Sequence, residues 1–303
     1  MATVNNRIHQ PQALTINAIA AGGLVTHQIQ LGYDDKNQHP VDGAALGMID
    51  YLTEFVRGQF TMEDWVHFIE LLTGIVGTDV FYERKSGAAE ATGYVKHTLN
   101  NPVIYKCELT ITHRKMAQCT GSYECKAADE AAGILDIWEH TDSQAAPTHL
   151  PAARGQEVTA CQHGELDIYH VTQLKLTIEM PLLKASHDGD VGYTAVDALQ
   201  TGMRAYGSIT FQDASIADGS IKVAELITAA RASLVASVRQ CQGASAKTLT
   251  VAGVKFHSGG QNTSAPQHGG NASPDEFTAE FEVTNDSETP LTLSGANKIV
   301  TIA

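Results

Sequence analysis

The string His187-Asp188-Gly189-Asp190 holds three side chains that could coordinate a divalent cation. Carboxylates and imidazole are common ligands of such ions. The same composition is typical of a tight turn, because Asp and Gly adopt turn geometry readily. We predict a turn at this position, and we expect the protein to need neither a metal ion nor another cofactor.

Cys241 is the cysteine whose neighbours suggest catalysis, in the string Gln240-Cys241-Gln242-Gly243. The string resembles the surroundings of the nucleophile in some cysteine proteases, but such strings do not transfer between families. The sequence contains no zinc-protease motif, nucleophile elbow or nucleotide-binding loop. Its 13 histidines are scattered along the chain. We therefore predict that the protein is not an enzyme.

The chain is acidic, with 34 Asp and Glu against 20 Lys and Arg and a formal net charge of −14. Because affinity for phosphate depends on Lys and Arg, sequence-specific nucleic-acid binding is disfavoured. A surface past which DNA slides is compatible with this charge. The five cysteines lack paired spacing, which indicates reduced thiols in a protein folded in cytoplasm. We expect no membrane insertion, because no run of 18 apolar residues occurs.

Strict alternation of polar and apolar residues is the strongest local pattern. It predicts half-buried strands at residues 28–33, 105–112, 171–179 and 277–284. Further strands are expected through residues 55–60, 204–211 and 248–256. Such alternation is typical of antiparallel sheets with one solvated face. The sequence thus predicts a mainly β protein.

Two segments have a helical period instead. Residues 62–76 form one apolar stripe, with Thr61 as the expected N-cap and Gly77 at the expected end. Residues 220–240 form a second stripe, which Asp218 or Ser220 would cap. We predict one helix in each segment, packed against a sheet.

The two halves of the chain have the same predicted order of strand, loop, strand, helix, strand and strand. An internal duplication is the simplest account of this order. We predict two tandem antiparallel β-sandwich or barrel domains, each with one flanking helix, at residues 1–145 and 146–303. The expected linker is residues 141–155, and residues 258–274 are expected to form a long hairpin tip.

Residues 171–213 carry a more specific pattern. An alternating strand and an acidic loop with glycine precede the string Gly202-Met203-Arg204-Ala205-Tyr206-Gly207-Ser208-Ile209-Thr210-Phe211. This combination resembles the bacteriophage tail tube family, and Val56-Arg57-Gly58-Gln59-Phe60 is a weaker version in the first half. The resemblance implies a β-sandwich or barrel flanked by one helix, and a structural role in the virion.

The resemblance also implies an assembly. A chain with two copies of the tube domain would close as a homotrimeric ring with pseudo-six-fold symmetry, and stacked rings would form the conduit for genome ejection. The implied partners are further copies of the chain, the tape measure, baseplate and terminator proteins, and DNA in passage. The implied location is the virion tail, assembled in the host cytoplasm.

Particular residues follow from the same resemblance. The loops at residues 34–47 and 182–202 would contact the next ring or the neighbouring subunit, through Asp34, Asp35, Asp42, Lys184, His187, Asp188 and Asp190. Candidate acids of the tube lumen lie on alternating strands and are Glu108, Glu179, Glu280 and Glu282. An ordinary solvated strand face also explains any one of these four.

Two alternatives stay open. A baseplate or tail-end tube initiator would share the fold but cap the stack. A β-sandwich module that binds a receptor or a glycan would belong to another class. Such a module should expose aromatic residues on its loops, whereas aromatic residues make up only 6% of this chain.

Overall fold

The computed structural model describes about two thirds of the chain, in segments from both halves. The described residues are 8–16, 19–21, 23–35, 52–71, 78–85, 91–99, 101–125, 138–144, 154–185, 195–199, 202–212, 223–241, 243, 245–262, 276–284, 291–293 and 298–303. The predicted boundary between residues 145 and 146 lies outside them, and so does the predicted turn at residues 187–190.

Most described residues lie in strands. The first half contains β1 (Ile8–Ile16), β2 (Ile19–Ala21), β3 (Leu24–Asp35), β4 (Leu52–Met62), β5 (Thr78–Lys85), β6 (Ala91–Leu99), β7 (Pro102–Thr112), β8 (Gln118–Cys125) and β9 (Trp138–Gln144). The second half contains β10 (Gln156–His163), β11 (Leu166–Asp167), β12 (Val171–Glu179), β13 (Leu182–Ala185), β14 (Ala195–Ala198), β15 (Arg204–Gln212), β16 (Ala232–Gln240), β17 (Ala246–Asn262), β18 (Glu276–Val283) and β19 (Val300–Ile302). Two short helices are α1 (Trp65–Leu71) and α2 (Val223–Thr228). The prediction of a mainly β protein is confirmed.

The described strands form three antiparallel sheets. The large sheet has the order β11-β10-β16-β17-β18-β15-β12-β7-β8-β4-β3, and β19 also pairs with β17. A second sheet has the order β2-β1-β5-β6-β9, and β13 pairs with β14 in a hairpin. Because β7 of the first half pairs with β12 of the second, the large sheet runs through both halves of the chain.

Alternation places the hydrophobic core on one side of the central strands. In β7, Cys107, Leu109 and Ile111 are buried while Glu108 is exposed. The strands predicted from this pattern at residues 28–33, 105–112 and 171–179 are confirmed, and residues 277–283 of the fourth lie in β18. The core is one hydrophobic cluster with members from both halves. Each fully buried aliphatic side chain contributes about 1.5–3 kcal/mol to stability.

Helix α1 begins later than its apolar stripe predicted. Thr61 and Met62 belong to β4, where Met62 pairs with Leu24 and Cys119. The N-cap is Asp64, whose Oδ1 accepts a hydrogen bond from the backbone N–H of His67 at 3.2 Å. The prediction of Thr61 as the cap was therefore wrong, because the strand ladder holds that residue in an extended conformation.

The second predicted helix was wrong over most of its length. Among the described residues of this segment only α2 is helical, and Ala232 to Gln240 form strand β16, which pairs with β10 and β17. Its buried residues, Leu234, Ala236 and Val238, alternate with more exposed ones. Leu234 and Val238 are four residues apart, a spacing that fits a helical stripe and a strand face equally. The segment is a strand because it is hydrogen-bonded to β10 on one side and to β17 on the other.

Two predicted irregular segments are partly strands. Thr141 of the expected linker lies in β9 and pairs with Lys96 of β6. Residues 258–262 of the expected hairpin tip extend β17 and pair with β18. Polar composition predicted loops here, but backbone ladder bonds form irrespective of side-chain polarity.

Candidate assembly site

The four predicted lumen acids lie on one polar face of the large sheet, and they are Glu108, Glu179, Glu280 and Glu282. Ladder register places Glu282 beside Tyr206 of β15, Tyr206 beside Thr177 of β12, and Thr177 beside Glu108. Directly paired residues of neighbouring strands point to the same side of a sheet. The structure thus brings these acids together across β7, β12, β15 and β18, and we call this surface the polar face.

Lys106 is at the centre of the charges on this face. Its Nζ lies 2.9 Å from Oε1 of Glu108 and 3.2 Å from Oε1 of Glu179. Hydrogen bonds to Glu108 and then Glu179 raise the pKa of Lys106. Glu179 Oε1 also accepts a hydrogen bond from the hydroxyl of Tyr206 at 3.2 Å. Two of the four predicted acids are therefore partly neutralised by one cation.

The other two acids have weaker or neutral partners. Nη2 of Arg204 lies 3.9 Å from Oε1 of Glu282, and both side chains are well exposed. Ser258 Oγ donates a hydrogen bond to Oε2 of Glu280 at 2.6 Å. Exposed ion pairs contribute about 0–1 kcal/mol, so these contacts do little for stability. They leave a hydrated face of mixed charge.

Glu124 of β8 is a fifth acid, which the sequence did not single out. Its side chain is 2% exposed, and its Oε2 lies 3.3 Å from Nε of Arg57 on the adjacent strand β4. Its Oε1 lies 2.5 Å from Nζ of Lys184. A buried carboxylate requires such partners because desolvation of an unpaired charge is costly. Alternation around Glu124 gives this residue an outward position on its strand, and no local pattern indicates which segment buries it.

The segment that covers Glu124 comes from the other half of the chain. Lys184 lies on β13, which follows β12 closely, and β12 pairs with β7. The β13–β14 hairpin thereby reaches over the first half, where Lys184 meets Glu124. The sequence predicted Lys184 in a loop that contacts another subunit or ring, but its backbone is in a strand and its ammonium contacts its own chain.

The remaining predicted contact residues are not brought together by the described structure. Asp34 and Asp35 belong to β3, where they pair with Thr53 and Leu52, so the predicted loop begins later than expected. Asp42, His187, Asp188 and Asp190 lie outside the described residues.

The large sheet has several edges without a ladder partner among the described strands, and two of them are on β3 and β17. β3 is the terminal strand and pairs only with β4. β17 pairs with β16 as far as Val254, and from there to Asn262 it pairs only with β18. Proteins usually protect open edges with charges or proline. Residues 24–32 and 258–262 contain neither.

A cavity of about 340 Å³ lies where β10 and β11 meet the start of β12 and the end of β7. Its polar lining includes His113, Asp167 and Tyr169, and the hydroxyl of Tyr169 donates to Oδ2 of Asp167 at 3.3 Å. Cys161 also borders it, but burial raises the pKa of that thiol to about 12. The thiol is therefore protonated at neutral pH and a poor nucleophile.

Comparison with known proteins assigns the chain to no family. No protein-family model matches it, and no curated protein matches it either. Within the described segments, no helix is long and apolar enough to cross a membrane. The same segments contain no cluster of three or more His, Cys, Asp or Glu that could hold a metal ion. Function must therefore be inferred from the topology and the surfaces.

Proposed function

We propose that this chain is a structural subunit of a self-assembling tube, as in the bacteriophage tail tube proteins that its sequence resembles. One observation carries the proposal, a strand order that occurs twice along the large sheet. From the β3 edge the order is β3-β4-β8-β7, and then β12-β15-β18-β17. If the four strands of each set are numbered in chain order, both sets have the order 1-2-4-3 across the sheet. A helix follows the second strand in both.

Details of packing support a duplicated unit. A Cβ added to Gly58 of β4 would lie 2.2 Å from Cζ of Tyr123 on β8. A Cβ added to Gly207 of β15 would lie 2.6 Å from Cζ of Phe281 on β18. In each half, a glycine on the second strand therefore makes room for an aromatic ring on the fourth.

The other strands repeat as well. The order β2-β1-β5-β6-β9 in the first half corresponds to β11-β10-β16-β17 in the second, where β19 pairs with the early part of β17. The chain leaves β6 for β7 near Asn101, which has a φ of 51°. β17 changes its partners near Gly253, which has a φ of 69°. We infer two tandem β-sandwich units, each with one helix.

The joint between the units suggests how copies of the chain assemble. The third strand of the first unit, β7, pairs with the first strand of the second unit, β12. Repeating this joint between chains would pair the β3 edge of one copy with the late β17 edge of the next, and a closed ring of such joints leaves neither of these two edges open. The resemblance to tail tube proteins implies a ring of six units, which three chains would supply as a homotrimer with pseudo-six-fold symmetry.

In such a ring the polar face is the proposed lining of the lumen. DNA carries about one negative charge per 1.7 Å of duplex. A lining with carboxylates such as Glu108 and Glu280 would repel the duplex and let it slide. The role is passive, within the tail of a virion, alongside tape measure, baseplate and terminator proteins. It requires no cofactor and no catalysis.

The test is electron microscopy of the purified chain over a concentration series, together with its mass in solution. We expect hollow filaments or rings whose mass is a multiple of three chains. Single rings that never stack would favour the tube initiator instead. A chain that stays a compact monomer at every concentration would overturn self-assembly as its function.

A further inference from the structure

We infer that strand β3 of one copy pairs antiparallel with residues 254–262 of β17 in a second copy. The inference rests on the proposed function and specifies the surface by which two copies meet. Both segments have one unpaired side among the described strands. We choose a second copy of the chain as the partner because, inside the chain, the corresponding strands β12 and β7 already pair.

The internal joint supplies the register. In it, Ile178 of β12 pairs with Cys107 of β7, and Thr177 pairs with Glu108. The two strands are antiparallel, and their ladder extends from Gln173 to Glu179 on β12.

The residues paired with β3 and with β12 show which residue of β3 corresponds to which residue of β12. Ile29 of β3 pairs with Gly58, and Leu176 of β12 pairs with Gly207. Since the two glycines correspond, Ile29 corresponds to Leu176. Two residues further along, Leu31 therefore corresponds to Ile178.

The same procedure places the partner strand. Ile104 of β7 pairs with Tyr123, and Phe256 of β17 pairs with Phe281. Each of these pairs is followed by a bulge of one residue, at positions 105 and 257. Ile104 thus corresponds to Phe256. Three residues further along each strand, Gly259 corresponds to Cys107, and the next residue, Gly260, corresponds to Glu108. Between copies, Leu31 would then lie opposite Gly259, and Gln30 opposite Gly260.

Exposure and shape support this joint. Ile178 is 1% exposed inside the chain, whereas Leu31, which corresponds to it, is 41% exposed. A strand added at the β3 edge would cover this leucine. The partner segment contains Gly259 and Gly260, so a neighbouring strand can approach without side-chain obstruction. A Cβ added to Gly260 would meet no atom within 4 Å, so a substitution is tolerated there.

The test is disulfide formation in the double variant Gln30→Cys with Gly260→Cys. Directly opposed residues of antiparallel strands have Cβ atoms about 4.5–5.5 Å apart, close enough for a disulfide after small adjustment. The matched control is Gln28→Cys with Gly260→Cys, which is shifted by two residues. The wild type and the single variants report any linkage through Cys241, the native cysteine that is not buried.

We expect mild oxidation of the assembled double variant to give covalent oligomers that end at three chains. Their yield should exceed that of the shifted control at least tenfold on a non-reducing gel. If microscopy shows rings but only the shifted pair is linked, or neither, the proposed interface is wrong and the tube function stands. If the chain stays monomeric at every concentration, both fail.

Discussion

The two halves of the molecule contain corresponding acids with opposite surroundings. Glu124 pairs with Arg57, the residue before Gly58, and Glu282 pairs with Tyr206, the residue before Gly207. The side chain of Glu124 is 2% exposed, whereas that of Glu282 is 47% exposed. The difference comes from Lys184, because the β13–β14 hairpin of the second half covers the first half.

If the two halves are tandem units, as we propose, the comparison indicates how the joint between β7 and β12 affects each half. In the first half, β12 pairs with β7, and the β13–β14 hairpin brings Lys184 to Glu124. In the second half, the late β17 edge has no ladder partner among the described strands, and the side chain of Glu282 is half exposed. On the proposed function, another copy of the chain completes this side.

The largest expected effect is at the buried acid. Glu124→Ala should lower the free energy of unfolding by about 3–5 kcal/mol, because it leaves the partly buried side chain of Lys184 without its counter-charge. The matched change Glu282→Ala should cost less than about 1 kcal/mol, since that pair is exposed. Urea denaturation of both variants, at a concentration where the chain is monomeric, measures this. Equal losses would mean that the two acids do not differ in environment.

An intermediate effect is expected at the corresponding glycines. A Cβ at Gly207 would lie 2.1 Å from the backbone O of Lys175, whereas at Gly58 the nearest atom is the side-chain hydroxyl of Tyr123, also at 2.1 Å. A side chain can move more easily than a strand backbone. Gly207→Ala should therefore cost about 1–3 kcal/mol, and Gly58→Ala less. Thermal unfolding of the two variants tests the order, and a larger loss at Gly58 would contradict it.

The smallest expected effect is on acid sensitivity. His27 Nε2 lies 2.8 Å from the hydroxyl of Tyr123, and burial, followed by His97, lowers the pKa of His27 from 6.5 to about 4. Between these values the unfolded chain binds a proton that the folded chain does not. Stability from this group is thus present above pH 6.5 and is lost as the pH falls toward 4, with a loss on the order of 1 kcal/mol by pH 5.

The corresponding residue of the second half gives the control for this prediction. Leu174 occupies the place of His27, because it pairs with Ile209 as His27 pairs with Phe60. In His27→Leu, unfolding by urea at pH 7 and at pH 5 should differ less than in the wild type. An unchanged pH dependence would show that His27 does not contribute.

Sequence pattern predicted the strands better than the helices. Alternation in β7 and β12 was informative because one side of each strand is buried and the other is solvated. It failed at residues 232–240, where Leu234 and Val238 fit both periods and only the β10 and β17 ladders resolve the choice. Alternation also gives no sign that Glu124 is buried, since an outward strand position is exposed unless a distant segment covers it.

The amino-acid sequence by itself determined the β class, the sheet face of the residues in four alternating strands and the placement of four acids on outward positions. These properties depend on the two-residue repeat of side chains along a strand, which is local. Tertiary structure decided which strands are neighbours, that β7 joins β12, and that Lys184 covers Glu124. Such contacts join residues far apart in the chain, and they depend on ladder pairing and desolvation, which no local pattern encodes.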